Sequence, residues 1–238
     1  MIGVNRRRVM GGAADGIIMT SSSNPEVLAI CYARGWCASP DYMTKAEAEA
    51  VTDIGVVFSN NESITHFDEL QYFGVTSIPN RCFYFSHNLA SVILPQAITI
   101  IGDSSFQRVY GITHIDFPSG IISLGSAAFF YMTSLVGADL SHTLLTSIGN
   151  QCFRGCTAIT RALLPTTITS IGTSAFDQCL VLSELVVEAV TPPSLGETAL
   201  RGVPGFIYVP DESVELYKTA TTWSTYANRI KPISELQS

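Results

Sequence analysis

Internal repetition constrains the fold of this chain more than any other feature of its sequence. Five phenylalanines recur at intervals of 23, 23, 24 and 23 residues: Phe83, Phe106, Phe129, Phe153 and Phe176. An aliphatic residue stands five positions before each of them, another stands six positions after, and a glycine stands four positions before all but the first. Columns that recur together at such a period are typical of solenoids, in which each repeat buries its apolar face against its neighbours.

One segment of every repeat is predicted to be a short strand. Residues 91–94 and 184–187, for example, are rich in aliphatic side chains and are stopped by proline or a polar residue. Six such strands, about 4.8 Å apart, would form a parallel sheet roughly 25 Å long. The small polar residues before each phenylalanine predict a short helical or 3₁₀ turn on the opposite side. The glycine column is expected to permit positive φ there, and the serine and threonine columns before it to be polar ladders that satisfy the turn backbone.

The composition is apolar for a chain without a membrane span. Of its residues 47% are hydrophobic and only 14% are charged, against roughly 25% charged in typical domains. This content excludes disorder, yet no stretch approaches the ~18 consecutive apolar residues of a spanning helix, so no membrane insertion is predicted. The net charge of −7 argues against a nucleic-acid partner, because nucleic-acid binding needs lysine and arginine to neutralise phosphates.

The repeat unit resembles the BspA-type leucine-rich repeat, whose pattern runs Ile-Gly-x-x-x-Phe-x-x-Cys-x-x-Leu-x-x-Ile-x-Leu-Pro. The clearest copy covers residues 148–159 and continues into Leu163, Leu164 and Pro165. The resemblance implies an α/β leucine-rich-repeat solenoid with repeats of 23 or 24 residues. The implied form is a right-handed superhelix with a parallel sheet on the concave side, short helical or 3₁₀ turns on the convex side, and small helical caps at both ends. It also implies a bacterial protein that recognises other proteins or surfaces.

Four segments are predicted along the chain. They are a flexible N-terminal segment (1–23), a helical N-terminal cap (24–53), the solenoid (54–210, regular over 75–188 with degenerate terminal repeats) and a C-terminal cap (211–238). Terminal repeats are expected to be atypical, because one of their faces meets solvent. In the C-terminal cap, Asp211 or Ser213 is predicted to begin a helix that runs to Ala220, and Trp223 and Tyr226 to cover the last strand.

The N-terminal cap carries two helix-start signals. Asn24 is predicted to be the N-cap of one helix, which stops at Gly35. Thr44 and Glu47 have the spacing of a capping box, so they are predicted to begin a second helix.

Repeat phase accounts for most of the six cysteines. Cys156 and Cys179 occupy the same slot, three residues after phenylalanine, and a second pair shares the slot just before it. Free cysteines behave as small buried hydrophobes, which is the main interpretation here. A Cys156–Cys179 disulfide between stacked neighbours is an alternative, as is a zinc site at Cys31 and Cys37. No metal and no cofactor is predicted.

The outward-facing strand positions are the candidate binding surface. Strand side chains alternate between two faces, and in the leucine-rich geometry the outward positions line the concave side that such folds use for partners. The predicted binding residues are His114, Asp116, Asp139, Arg161, Glu184 and Tyr208. This mixture of acids, one arginine and one histidine among aliphatic neighbours suits a protein epitope better than a phosphate-rich ligand. The alternative is an ordinary solvated sheet.

A non-enzymatic recognition function is predicted. No phosphate-binding loop, dinucleotide-binding glycine motif, zinc-protease motif or nucleophile elbow is present, so no catalytic residues are assigned. We expect a protein that binds a protein or host cell-surface partner, as in adhesion. The alternative is an intracellular or phage-associated structural scaffold.

The cellular compartment stays open at this point. The resemblance implies a cell-surface or secreted protein. No secretory signal is predicted, however, because the arginines at 6–8 are followed by small residues and Asp15 instead of an apolar core.

Overall fold

A computed structural model describes residues 16–236 of the chain. Within this range the repeats stack in sequence order, and each repeat passes through three sides. The first side is a two-residue strand, the second is a run of tight turns that carries the phenylalanine, and the third is another strand of two to four residues. This is the predicted solenoid of parallel strands.

The described residues form fifteen strands, three α-helices and four 3₁₀ helices. The strands are β1 (Ile17–Thr20), β2 (Tyr42–Thr44), β3 (His66–Phe67), β4 (Ser77–Ile78), β5 (Ser91–Val92), β6 (Ile100–Ile101), β7 (Ser123–Leu124), β8 (Gly137–Asp139), β9 (Ser147–Ile148), β10 (Arg161–Leu164), β11 (Ser170–Ile171), β12 (Glu184–Val187), β13 (Ser194–Leu195), β14 (Phe206–Val209) and β15 (Ile230–Pro232). The α-helices are α1 (Pro25–Ala33), α2 (Lys45–Glu49) and α3 (Val214–Thr219). The 3₁₀ helices are Asp68–Tyr72, Asp211–Ser213, Trp223–Arg229 and Ile233–Glu235.

The first side is a six-stranded parallel sheet, which we call the ladder sheet, with strand order β13-β11-β9-β7-β6-β4. Its register continues from repeat to repeat, so that Ser147 pairs with both Ser123 and Ser170. Threonine hydroxyls of the adjoining column reinforce it, as where Thr169 Oγ1 donates to the Thr146 carbonyl at 2.9 Å. The prediction of one strand per repeat is therefore corrected to two. A two-residue strand is too short to produce the alternating pattern by which strands are found in a sequence.

The third side carries the predicted strands, and its sheet is interrupted. Strands β15-β14-β12-β10-β8, in that order, form a parallel sheet that we call the wide sheet, while β3 pairs separately with β5. Residues 114–116 occupy the repeat between β5 and β8 but form no strand, so the prediction of six paired strands is wrong there. Ile115 and Phe117 are still buried. The apolar residues whose alternation predicts a strand are thus buried without backbone pairing.

The glycine column supplies space and not positive φ, which corrects the prediction. Gly149 has an ordinary φ, and a Cβ atom there would lie 2.4 Å from the carbonyl carbon of Gly125 in the preceding repeat. The left-handed conformation falls on two other positions of the repeat, for example Gln151 (φ 57°) and Gly155 (φ 72°). The predicted short helical turn is a series of tight turns in which alternate N–H groups bond to the next repeat, as Gln151 does to the Thr173 carbonyl at 2.8 Å.

The phenylalanine column forms the centre of the core. Six rings stack in succession and are fully buried: Phe58, Phe83, Phe106, Phe129, Phe153 and Phe176. Neighbouring centroids are 5.1 to 5.7 Å apart. This distance is close to the spacing of adjacent strands, about 4.8 Å, so one ring per repeat fills the interior without a gap. Phe58 extends the column into the degenerate first repeat.

The N-terminal segment is more ordered than predicted. Residues 1–15 lie outside the described residues. Strand β1 pairs with β2 in an antiparallel two-stranded sheet and buries Met19. The sequence has no apolar–polar alternation here, because Ile17, Ile18 and Met19 are consecutive apolar residues. The capping box of α2 is confirmed, because Thr44 N–H donates to Glu47 Oε2 at 2.8 Å and Glu47 N–H donates to Thr44 Oγ1 at 3.3 Å.

Helix α1 follows Asn24 as predicted, and Gly35 after it has the positive φ of a helix stop. The Asn24 side chain does not cap the helix, which corrects its predicted role. It donates instead to the His66 carbonyl at 3.1 Å and to Glu69 Oε2 at 2.9 Å. These bonds attach α1 to the first repeat.

The C-terminal end covers the last repeat. Trp223 is fully buried and its Nε1 donates to the Pro193 carbonyl at 2.7 Å, while the hydroxyl of Tyr217 donates to the Ala189 carbonyl at 2.7 Å. Helix α3 begins after Ser213, whose side chain makes no capping bond. Strand β15 then adds to the edge of β14, which the sequence did not predict.

All six cysteines are buried free thiols. Cys156 Sγ donates to the Phe129 carbonyl at 3.0 Å and Cys179 Sγ to the Phe153 carbonyl at 3.1 Å, so the two do not form the alternative disulfide. Burial raises the pKa of Cys179 to about 12. Within residues 16–236, no helix combines the length and the apolar character needed to cross a bilayer. The same part of the chain holds no cluster of three or more His, Cys, Asp or Glu residues arranged for a metal ion.

Candidate functional site

The third side of the solenoid presents two outward rows of side chains. The first row comprises Ser91, His114, Gly137, Arg161, Glu184 and Phe206. The second row comprises Ile93, Asp116, Asp139, Leu163, Val186 and Tyr208. The rows change residue type at almost every repeat, unlike the serine and aliphatic positions of the ladder sheet.

Gly137 opens a hollow in the first row. A Cβ atom at this position would have only the Arg161 carbonyl oxygen within 4 Å, at 3.5 Å, and Gly137 has no positive φ. Neither backbone conformation nor packing therefore requires a glycine here. The cavity at this position has a volume of about 320 Å³, and its rim carries His114, Asp116 and Asp139. This cavity lies where the third-side sheet is interrupted.

The charges around this cavity, which we call the Gly137 hollow, are only partly balanced. Arg161 Nε lies 3.1 Å from Glu184 Oε2, so the only arginine of the rim already has a carboxylate partner. Asp139 accepts hydrogen bonds from Ser141 Oγ at 2.6 Å and from Ser141 N–H at 3.1 Å. Asp116 is exposed, and no cation within residues 16–236 lies within 4.0 Å of its carboxylate. The hollow therefore has a negative rim.

Two carboxyl groups near the hollow titrate differently. Partial burial alone would raise the pKa of Asp139, but the Ser141 hydrogen bonds and the charges of His142 and Arg161 outweigh it and hold this pKa below its ordinary value. Burial, together with the charge of Asp139, raises the pKa of Glu188. Asp139 thus stays ionised at a lower pH than Glu188 does.

The structure brings together four of the six predicted binding residues. His114, Asp116, Asp139 and Arg161 line the Gly137 hollow, and Glu184 adjoins it through its ion pair with Arg161. Tyr208 does not join them, because it lies three strands away from β8 and is only 9% exposed.

Sequence reasoning assigned no binding role to three residues of this face, although it placed Gly137 among the outward positions. Gly137 itself is the most informative, and its signal was the absence of a side chain from an otherwise filled outward row. Phe206 is 43% exposed and has the Lys231 ammonium 4.3 Å from its ring centroid. Glu188 lies beyond the end of β12, where the strand pattern assigns no orientation.

Other hollows of similar size are poorer in charge. One lies beside residues 189–193 and another over the ladder sheet, and neither is lined by a charged side chain. A third, next to Trp36, includes Glu47 and Asp53, but Glu47 is already used in the capping box of α2. The Gly137 hollow combines a free rim charge with an apolar wall, Leu163, and can therefore hold a side chain that is both long and cationic.

The repeats of this chain show the family to which it belongs. The model for the BspA type leucine rich repeat region (6 copies) matches residues 76–200, which is more than half of the chain. The chain belongs to this family. It is a leucine-rich repeat protein, a class that mediates protein interactions.

Two solved structures are similar to this chain. A leucine-rich repeat protein of T. pallidum is 23% identical, with a TM-score of 0.52 over 64% of this chain and 70% of that chain. A leucine-rich repeat protein of Bacteroides ovatus is 20% identical, with a TM-score of 0.38 over 58% of this chain and 42% of that chain. The first likeness shows the leucine-rich-repeat fold. No curated protein matches the chain.

Proposed function

We propose that this chain is a non-enzymatic recognition protein that binds a protein or cell-surface partner through the third side of its solenoid, with a lysine or arginine of the partner seated in the Gly137 hollow. The observation that carries the proposal is the hollow itself. Gly137, an outward position where the fold would accommodate a side chain, contributes to its lining.

The chemistry of the rim selects a cationic group. The carboxylates of Asp116 and Asp139 stand one repeat apart in the same row, and Leu163 continues that row beside them. A lysine or arginine can lay its aliphatic stem along Leu163 and still place its charge between the two acids. Hydrogen bonds to charged groups contribute about 1.5–3 kcal/mol each, which is enough to anchor an interface.

In the same proposal, residues 24–53 and 211–238 are caps for the solenoid of residues 54–210. Support comes from the bonds of Asn24 to the first repeat and of Trp223 to the last. Each end would otherwise expose the apolar face of a terminal repeat.

Peptides selected from a random phage-displayed library against the immobilised chain test the proposal. We expect the selected peptides to share a lysine or arginine. The double substitution Asp116→Lys with Asp139→Lys should weaken their binding, measured by fluorescence polarisation, on the order of a hundredfold or more, because two charge-assisted contacts are lost. Gly137→Gln, which fills the hollow without changing charge, should also block binding.

The matched control is Glu26→Lys with Asp41→Lys, which makes the same change of charge at two exposed positions near the N-terminus. It should leave the affinity nearly unchanged. The proposal fails if the two double variants weaken binding equally, or if the selected peptides carry no shared cationic residue.

A further inference from the structure

The second side of the solenoid, formed by the tight turns, carries an aromatic surface in its N-terminal repeats. Six partly exposed residues lie on the turns that follow Phe83, Phe106 and Phe129: Tyr84, Phe85, Arg108, Tyr110, Phe130 and Tyr131. Two pairs of adjacent rings are in contact, with centroids 4.3 Å apart for Tyr84 and Phe85 and 4.6 Å apart for Phe130 and Tyr131, while the His87 ring lies between Phe85 and Tyr110. We call these six residues and Arg81 the turn patch.

Arginines are interleaved with these rings. The guanidinium carbon of Arg108 lies 4.9 Å from the ring centroid of Phe85 and 6.0 Å from that of Tyr131, in the repeats on either side. That of Arg81 lies 5.6 Å from the Tyr84 ring. A guanidinium stacked on a ring keeps its N–H edge free for a planar bidentate acceptor, and it loses less freedom when that acceptor binds.

The two arginines have no anionic partner in the part of the chain that the structure describes. Within residues 16–236, no carboxylate lies within 4.0 Å of either guanidinium. The three turn runs, residues 79–88, 102–111 and 125–134, contain a single acid, Asp103, whose Oδ1 accepts from the Ser126 N–H. Glu62, from the preceding repeat, lies 3.4 Å from His87, and neither it nor Asp103 lies within 4.0 Å of the two guanidinium groups.

The same turn positions in the C-terminal repeats are built differently. Arg154 and Arg201 both bind Asp177, whose side chain is fully buried, with nitrogen–oxygen distances of 3.1 and 2.6 Å. No aromatic side chain occupies the surface turn positions there. Arg154 and Arg201 are therefore already paired with a buried carboxylate. Arg81 and Arg108 of the turn patch pack against aromatic rings instead, and no described carboxylate neutralises them.

We propose that the turn patch is a second interaction surface, which binds an acidic segment of a partner protein through carboxylates on Arg81 and Arg108 and apolar side chains against the surrounding rings. Charge complementarity supports this occupant, because the arginines lack carboxylates and present the edge that carboxylates bind bidentately. Tyrosine, phenylalanine and arginine are also the residue types enriched in the cores of protein interfaces. This surface is distinct from the Gly137 hollow and has the opposite polarity.

A comparison of two displayed peptide libraries tests the inference, one rich in Glu and Asp and one of neutral composition. We expect the acidic library to be enriched on the chain, and the affinity of the selected peptides, measured by fluorescence polarisation, to fall as NaCl is raised. Arg108→Gln and Arg81→Gln should each weaken binding on the order of tenfold. Arg108→Lys should weaken it too, because a lysine retains charge but cannot make the stacked, bidentate contact.

Arg34→Gln is the matched control, since Arg34 also lies over an aromatic ring, that of Trp36, at 5.9 Å, but outside the patch. It should leave the affinity unchanged. Urea unfolding of Arg81→Gln, an exposed position, verifies that its loss of binding is not loss of fold.

Four results would overturn the inference. They are equal enrichment of the two libraries, equal affinity of Arg108→Gln and Arg34→Gln, binding of heparin in place of acidic peptides, and self-association in analytical ultracentrifugation that Arg108→Gln abolishes. The third would assign the patch to a sulfated polysaccharide and the fourth to a second copy of the chain.

Discussion

The ladder sheet and the third side of the same solenoid contrast in regularity. The ladder sheet runs through six repeats with unbroken register and an almost constant serine–aliphatic pair. The third side is split where residues 114–116 form no strand, and its outward residues range from glycine to arginine. Both sides use the same repeat period, so the difference lies in what each side is required to do.

Close packing explains the constancy of the ladder side. The glycine that follows every ladder strand except β4 touches the backbone of the preceding repeat, so a change there would displace the whole stack. Exposed outward residues of the third side, such as Asp116 and Phe206, face solvent, although Val186 and Tyr208 in the same rows are buried. The exposed positions can vary at little cost to the fold, and such positions are where a binding surface can form.

Paired glycine substitutions test this contrast most strongly. Gly149→Ala places a methyl group 2.4 Å from the Gly125 backbone, so we expect a loss of about 3 kcal/mol in the free energy of unfolding. Gly137→Ala places a methyl group where only the Arg161 carbonyl oxygen lies within 4 Å. It should raise the free energy of unfolding by about 0.5 kcal/mol, because alanine is favoured over glycine in an extended segment. Urea unfolding of both variants gives the two values. Equal destabilisation would show that Gly137 is structurally required, which would remove the basis of the proposed hollow.

Hydrogen exchange tests the interruption itself. Among residues 16–236, the N–H groups of residues 114–117 have no backbone hydrogen-bond acceptor, whereas β10 is paired on both sides. We expect the amides of 114–117 to exchange at least about tenfold faster than those of 161–164, which corresponds to roughly 1.4 kcal/mol less protection. Mass spectrometry of overlapping peptides measures this. Similar protection in the two segments would mean that the third-side sheet is continuous in solution.

The smallest effect concerns pH and the negative rim of the third side. As pH falls, Glu188 should gain its proton before Asp139 does, because burial and Asp139 raise the pKa of Glu188, while the pKa of Asp139 is lowered. Protonation of Glu188 should therefore weaken the binding of the lysine- or arginine-bearing peptides by about two- to threefold, which is a screened Coulomb effect below 1 kcal/mol. A larger loss of binding should follow at lower pH. Titrations of the wild type and of Glu188→Gln should differ only in this first step. An identical first step in both would assign it to another group.

Much of the fold was predictable because it is a property of one repeat. The phenylalanine column predicts the stacked core, and the alternation in residues such as 184–187 predicts which strand side chains face inward. The capping box at Thr44 was predictable for the same reason, since it depends on two residues three positions apart. At the site, the outward residues His114, Asp116, Asp139 and Arg161 followed from the same alternation, but their common hollow did not.

What the sequence by itself determined is the period, the core and the family. The tertiary structure decided the second strand of each repeat, the break at residues 114–116, the role of the glycines as close contacts and the pairing of Asp177 with its two arginines. These depend on distances of a few tenths of an ångström between atoms of different repeats. A periodic pattern records which residues recur, but not how closely successive copies of the backbone approach one another.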